Sequence, residues 1–194
     1  MKKILIVCVC VAVGLILIVI LFFAYPWIQI TTGSLIGRTP SKPEIIYFEF
    51  PFKLVYKVYG EQIIVEDTLI CEYNGIGWGF DQGYYYKWKG NLASGNERVT
   101  VYVENNINIV ENDSNKIITY REIYFTIGNP KIYMGDYDPE MNLYKSITAN
   151  AILLTKYKEG KNKEITVSPN DLLEKYGIEL ISWEPSEPIL NNFR

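Results

Sequence analysis

The residue types that most often perform chemistry are scarce in this chain. Its 194 residues include three cysteines and no histidine. Because histidine supplies the base of most nucleophilic triads and many metal ligands, the composition excludes histidine-dependent catalysis and histidine-ligated metals. Lys and Arg total 19 against 22 Asp and Glu, so the chain lacks the basic surplus that nucleic-acid binding requires. We expect no cofactor and no nucleic-acid partner.

Cys71 is the cysteine outside the apolar N-terminal segment, which holds Cys8 and Cys10. The string TLIC that ends at Cys71 is similar to the threonine-leucine approach to the sortase nucleophile. A reactive thiolate needs a neighbouring base or cation, and the sortase histidine has no counterpart here. Cys71 alternates in phase with Leu69 and Tyr73. The pattern therefore predicts a buried, unreactive thiol and no disulfide within the domain.

Carboxylates are the remaining candidates for catalysis. Glu104, Glu111 and Glu122 fall on or near predicted strands, and two carboxylates at a suitable separation can hydrolyse a glycoside. The run GDYDPEMN (residues 135–142) alternates oxygen-bearing side chains, as calcium sites do. It lacks the glycine and the closing glutamate of an EF-hand loop, so it predicts a solvated loop and no metal site. A hydrolase with paired carboxylates is the alternative function.

Aromatic residues are concentrated in residues 74–90, NGIGWGFDQGYYYKWKG. Four glycines predict a flexible loop, and the alternation that follows predicts a strand. Its more apolar face, with Tyr84, Tyr86 and Trp88, is expected to face the core. The other face and the loop predict a site that grips an anionic or sugar-like ligand by stacking and charge. The predicted ligand-binding residues are Trp78, Tyr85, Lys87 and Lys89. The alternative is plain cross-strand aromatic packing.

The N-terminal segment has the composition of a membrane anchor. Residues 4–27 carry no charged side chain, and about 20 apolar residues suffice to cross a bilayer. A cleaved signal usually has an apolar region of only about 7–15 residues. Lys2 and Lys3 precede the run, so the positive-inside rule predicts a cytoplasmic tail, residues 1–3. We therefore expect residues 4–28 to span the cell membrane once, with the C-terminal domain extracytoplasmic.

The rest of the chain is predicted to form a linker, residues 29–44, and a β-rich domain, residues 45–194. Two hairpins are predicted with turns at Gly60-Glu61 and at residues 112–116, and a third with its turn at residues 159–163. The segment RVTVYVE predicts a half-buried strand with its valines inward, while AILLTKY, apolar on both faces, predicts a mid-sheet strand.

One short helix is predicted near the C-terminus. Ser168 can cap it, Pro169 suits its first position, and Gly177 suits its end. The elements together predict a mainly β fold: a single transmembrane helix, then an antiparallel β-sandwich-like or curved-sheet domain with this one helix.

Four strings carry a resemblance that covers most of the chain after the linker: FPFKLVYKVYGE, EDTLICEYNGIGW, KWKGNLASGNE and LLEKYGIELISWEPSEPI. The sequence resembles a group of short, uncharacterised, membrane-anchored proteins of low-GC Gram-positive bacteria. The resemblance implies anchoring and an extracytoplasmic domain, and it implies no activity and no site residues. The predicted function is a single-pass membrane protein that displays a binding or interaction domain for an envelope polymer, a peptide or a neighbouring membrane protein.

Overall fold

A computed structural model describes residues 14–25, 40–79, 83–112, 114–137 and 147–193. These residues form two compact units. The larger unit comprises residues 42–75 and 86–193. The smaller unit comprises residues 76–85 together with the part of residues 1–41 that the structure describes.

Eight strands and three helices make up the described chain. The strands are β1 (Tyr47–Val58), β2 (Glu61–Gly79), β3 (Gly83–Leu92), β4 (Val99–Glu111), β5 (Lys116–Phe125), β6 (Ala151–Tyr157), β7 (Asn162–Thr166) and β8 (Ile178–Glu184). The helices are α1 (residues 14–25), α2 (Pro130–Tyr133) and α3 (Pro169–Tyr176). The strands form two antiparallel sheets, ordered β3-β2-β1-β8 and β4-β5-β6-β7. The mainly β, antiparallel prediction is confirmed.

The two sheets bury one common core, as in a β-sandwich. Leu54 of β1 and Ile123 of β5 are fully buried, and Phe125 is 1% exposed. Alternation along each strand sends every second side chain inward, which is why these positions are apolar. The other buried members of the core are Phe52, Tyr56, Leu92, Val99, Ala149, Ala151, Leu153, Leu172 and Ile178.

The three predicted hairpins are present, but the first turn lies one residue earlier than the predicted Gly60-Glu61, because Glu61 already belongs to β2. Tyr59 and Gly60 form the β1–β2 turn, both with positive φ, so glycine suits the second position. β4 pairs with β5, and β6 pairs with β7, each antiparallel. β6 lies between β5 and β7, which confirms the mid-sheet prediction for AILLTKY. β1 pairs on its other side with β8, from Lys53↔Glu184 to Val58↔Ile178, so the first and last strands are neighbours.

The valine alternation of β4 holds only in part. Val99 is buried and Val101 is half-buried, but Val103 is 45% exposed. The register with β5 shifts between Thr100 and Tyr102. Such a bulge adds a residue and turns the following side chains to the opposite face. Tyr102 therefore packs against the core, and the prediction that Val103 faces inward is wrong.

The predicted C-terminal helix is confirmed as α3. The Ser168 hydroxyl accepts a hydrogen bond from the backbone N–H of Asp171 at 3.1 Å, and Gly177 ends the helix with φ +64°. The prediction of a single short helix in the domain missed α2, one turn that the Asn129 side chain caps. Pro130 opens that turn, and an Asn-Pro pair is a usable start signal.

The C-terminal tail returns to the start of β1. The Asn191 side chain accepts a hydrogen bond from the backbone N–H of Ile45 at 3.0 Å and donates one to the Ile45 carbonyl at 2.8 Å. The backbone N–H of Ile189 donates to the carbonyl of Tyr133 in α2 at 2.9 Å. These bonds satisfy backbone groups that no sheet partner reaches.

The smaller unit contains α1, whose residues lie inside the predicted anchor. Residues 1–13 and 26–39, with the predicted cytoplasmic tail and most of the predicted linker, lie outside the described residues. Within the described parts of the chain, no helix combines the length and the apolar character needed to cross a membrane. The anchor, its orientation and the domain boundaries stay predictions.

Candidate functional site

Trp88 on β3 is held inside the larger unit, as the alternation predicts. Its indole N–H donates a hydrogen bond to the Asp136 carboxylate at 2.9 Å. Its ring meets the ring of Tyr73 edge-on, with centroids 5.7 Å apart. It also packs against a second core cluster, in which Cys71 and Met134 are fully buried. The predicted core face is thus confirmed at Trp88.

Tyr86, two residues earlier on the same face of β3, also has ring neighbours. Its ring lies 6.2 Å from the ring of Tyr73 and 5.0 Å from that of Phe193 in the C-terminal tail. Burial is the largest cause that raises the pKa of Tyr86 above its ordinary value, so the phenol is neutral at physiological pH. The contact between Tyr86 and Tyr73 is cross-strand aromatic packing, which the sequence offered as the alternative to binding.

The four predicted ligand-binding residues divide between the two units. Lys87 and Lys89 belong to the larger unit and are exposed on β3, as predicted. Trp78, 39% exposed, and the half-buried Tyr85 belong to the smaller unit. The binding role of all four stays a prediction.

The glycine-rich segment is a strand, so the prediction of a flexible loop around Trp78 is wrong. β2 continues to Gly79, and β3 starts at Gly83. Gly77 is buried, and a Cβ there would lie 2.3 Å from Cζ of the Tyr85 ring. The missing side chain therefore lets the tyrosine ring lie on the neighbouring backbone, a contact that compensates for glycine in a strand.

Cys71 is a buried thiol, as predicted. It is fully buried in β2, and burial raises its pKa to about 12. The thiolate is the nucleophilic form, so the protonated thiol that dominates near pH 7 is inert. The sequence argument against a cysteine nucleophile is consistent with this geometry.

Glu122 on β5 carries the most buried carboxylate of the three predicted candidates. Its side chain is 5% exposed and pairs with Arg98 Nε at 3.0 Å. It also accepts hydrogen bonds from the hydroxyls of Thr100 at 2.5 Å and Tyr120 at 2.8 Å. The Arg98 guanidinium lies 4.5 Å from the centre of the Tyr124 ring. A carboxylate with this many partners is positioned as a structural group.

The other two carboxylates lie apart from Glu122. Glu104 is opposite Arg121 in the β4–β5 register and forms an ion pair with it at 3.8 Å. Arg121 and Glu122 are consecutive on β5 and point to opposite faces of the sheet, so Glu104 and Glu122 cannot flank one substrate bond. The Ser114 hydroxyl, then Tyr157, holds the pKa of Glu111 below its usual value. A general acid for glycoside hydrolysis needs the opposite shift.

A groove of about 470 Å³ opens beside α3. The start of β6, the end of β7, α3 and β8 line it. Val167 and Leu180 contribute apolar walls, Asn150 and Asn170 contribute amides, and Leu173 is 51% exposed. Sequence reasoning missed this groove, because its lining comes from four separate elements. The available sequence signal was the pair of consecutive leucines in α3, since two adjacent helical positions cannot both face the core. The structure buries Leu172 and exposes Leu173.

The candidate calcium run is only partly described. Gly135, Asp136 and Tyr137 lie in the structure, whereas residues 138–142 lie outside the described residues. Asp136 accepts the Trp88 hydrogen bond. No group of three acidic or cysteine side chains able to hold a metal occurs among the described residues.

Comparison with known proteins gives no relative. The sequence matches no protein-family model, and neither a curated protein nor a solved structure is significantly similar to it. The resemblance to membrane-anchored proteins of low-GC Gram-positive bacteria therefore stays a prediction.

Proposed function

We propose that this chain is a single-pass membrane protein that displays a β-rich binding or interaction domain outside the cell. The observation that carries the proposal is α1. Every side chain from Leu15 to Phe23 is apolar and at least 53% exposed. Burying one such large side chain is worth about 1.5–3 kcal/mol, so a helix that is apolar all round needs a nonpolar surrounding. A lipid bilayer supplies it.

The larger unit supports the part of the proposal that concerns a displayed binding domain. Its eight-strand framework buries two apolar clusters without a disulfide, and Cys71 is the one cysteine that this unit contains. Accessible features for a partner are the groove beside α3 and the exposed cations Lys87 and Lys89. The partner class that fits exposed cations is an anionic envelope polymer.

The proposed orientation is tested by a reporter fusion that shows on which side of the membrane the C-terminal domain lies. Alkaline phosphatase fused after Arg194 should be active, because it matures only outside the cytoplasm, and the fusion should resist alkaline carbonate extraction. Replacing Ile16 and Ile20 by glutamate should abolish both, since an acid at the centre of a membrane helix costs about 2.5–3.5 kcal/mol. The matched control is valine at both positions, which should retain both. An intact but inactive wild-type fusion would contradict the orientation.

Binding is tested on the full chain in lipid nanodiscs, with purified anionic cell-wall polymer as the probe. Lys87→Ser with Lys89→Ser should weaken binding a few-fold, as expected from about 0.2–1 kcal/mol for each exposed charge contact. High salt should weaken it further. The control removes the same charge elsewhere, by Lys158→Ser with Lys161→Ser in the exposed β6–β7 turn. Equal loss in both double variants would show that no local site exists.

A further inference from the structure

We propose that the outer edge of β7, together with the groove beside α3, binds an extended peptide segment of another protein by strand addition. In this mode of recognition, main-chain hydrogen bonds to a sheet edge supply affinity, and pockets for alternate side chains supply specificity. The inference deepens the proposed function and rests on it in one respect, that the domain binds a partner. It names a peptide with apolar and basic side chains as the ligand of this groove.

β7 is the sheet edge best suited to accept a further strand. The two sheets end at β3, β8, β4 and β7. β4 is interrupted by two register shifts, α3 packs against β8, and β3 is divided between the two units. β7 pairs with β6 without a register shift, and all five of its residues are exposed. Bulges and prolines commonly protect a sheet edge, and β7 has neither.

The hydrogen bonds at the two ends of the β6–β7 ladder show which backbone groups of β7 are left over. The N–H of Val167 donates to the carbonyl of Ala151 at 2.9 Å, and the N–H of Tyr157 donates to the carbonyl of Lys161 at 2.9 Å. Bonded and non-bonded pairs alternate along an antiparallel ladder, so the odd-numbered residues of β7 bond to β6. The N–H and C=O groups of the three remaining residues point away from β6; these residues are Asn162, Glu164 and Thr166.

The groove beside α3 lies at the end of this edge. Thr166, the last residue of β7, lines it together with Val167, the first turn of α3 and Leu180 of β8. Its volume of about 470 Å³ falls in the range of about 300–1,000 Å³ that is typical of ligand pockets. A peptide that pairs with β7 and continues past Thr166 therefore places a side chain at the groove, where Leu173 offers an exposed apolar contact.

Charge favours a basic peptide as the occupant. Glu179 is the one charged residue among those that line the groove. On β7, Lys163 already pairs with Glu111 at 3.4 Å. A lysine or arginine of the peptide is therefore the complementary charge. A second copy of this chain fits less well, because pairing all five residues of two β7 strands sets Glu164 opposite Glu164, and like charges in that position are destabilising.

The experiment selects binders from a phage-displayed library of random linear peptides, with the full chain in lipid nanodiscs as the target. We expect the enriched peptides to alternate in hydropathy and to carry lysine or arginine. Thr166→Pro removes a main-chain donor that points away from β6, a place where a strand tolerates proline. It should weaken binding of these peptides up to about tenfold, the factor that one net hydrogen bond supplies. The matched control is Thr166→Val, which keeps the N–H and should bind as wild type does.

A second pair of variants tests the groove without touching the strand. Glu179→Gln should weaken binding of the same peptides a few-fold, as expected for one exposed charge contact. Its matched control is Glu174→Gln, which removes the same charge from an exposed position of α3 outside the groove lining and should have no effect. Circular dichroism checks that Thr166→Pro is folded, and the Glu179 pair decides the test if it is not.

Every other outcome counts against the inference. Selected peptides that bind Thr166→Pro and Glu179→Gln as tightly as wild type would overturn it. A library that yields no binder would overturn it too, while the proposed function stands if the same nanodiscs still bind the anionic polymer. Loss of both kinds of binding would contradict the binding domain itself. A dimer of the full chain in detergent that Thr166→Pro dissociates would assign the β7 edge to a second copy and exclude the peptide.

Discussion

Replacing Trp88 by alanine should lower the free energy of unfolding by about 3 kcal/mol, the low end of the cost of truncating a core aromatic residue. The low end applies because Trp88 is half-buried. The variant loses the edge-on contact with Tyr73 and leaves the Asp136 carboxylate without its indole donor. The free energy is measured by urea titration of the full chain, followed by circular dichroism.

Two variants separate packing from surface effects at this strand. Trp88→Phe keeps most of the ring and loses the hydrogen bond, so it should cost about 1 kcal/mol. Lys87→Ala, the adjacent exposed residue, should stay within about 0.5 kcal/mol of wild type. A Trp88→Ala protein as stable as Lys87→Ala would show that the aromatic cluster does not support the sheet.

Removing the Arg98 cation beside Glu122 should lower the free energy of unfolding by as much as Trp88→Ala does, or by more. In Arg98→Met the Glu122 carboxylate loses the positive charge that Arg98 Nε places beside it. The Glu122 side chain is only 5% exposed, so water cannot replace that charge. Breaking a buried ion pair by removing one partner costs about 3–5 kcal/mol, because the remaining charge is poorly solvated. The bonds from Thr100 and Tyr120 remain, so we expect the lower half of that range.

A double variant tests whether the unpaired charge is the cause. Arg98→Met combined with Glu122→Leu removes both charges and should recover much of the loss, since apolar residues can replace a buried pair with little cost. The matched control is Lys175→Met, which breaks the exposed Lys175–Asp171 pair of α3 and should leave the urea midpoint unchanged. If the double variant is less stable than Arg98→Met alone, the pair is not the source of the effect.

The strands and hairpins were predictable because their signals are local. Period-two alternation and turn residues identify β1, β4–β5 and β6–β7, while Ser168 and Gly177 mark both ends of α3. The bulge at Thr100–Tyr102 has no such signal, since it depends on how β4 meets β5. The order of strands in each sheet has no local sequence signal either, because pairing between distant strands leaves no short motif in the chain.

The candidate site was predictable to a similar degree. Alternation alone places Trp88 inside and Lys87 and Lys89 outside. Alternation cannot show that the Tyr85 ring covers Gly77. A glycine-rich run predicts a turn, and the ring on the next strand that stabilises it as a strand is not visible in the sequence. The groove beside α3 is also a property of assembled elements rather than of any one segment.

The pairing of β1 with β8 determines the order in which the molecule can be completed. β1 leaves the ribosome first among the strands and pairs early with β2, its neighbour in the chain. Its other edge keeps unpaired N–H and C=O groups until Ile178–Glu184 has been synthesised, because β8 is the strand that covers it among the described residues. Non-local pairings of this kind place β domains in the slow range of about milliseconds to seconds. The nascent domain therefore passes through an interval in which the uncovered edge of β1 can pair with strands of other chains.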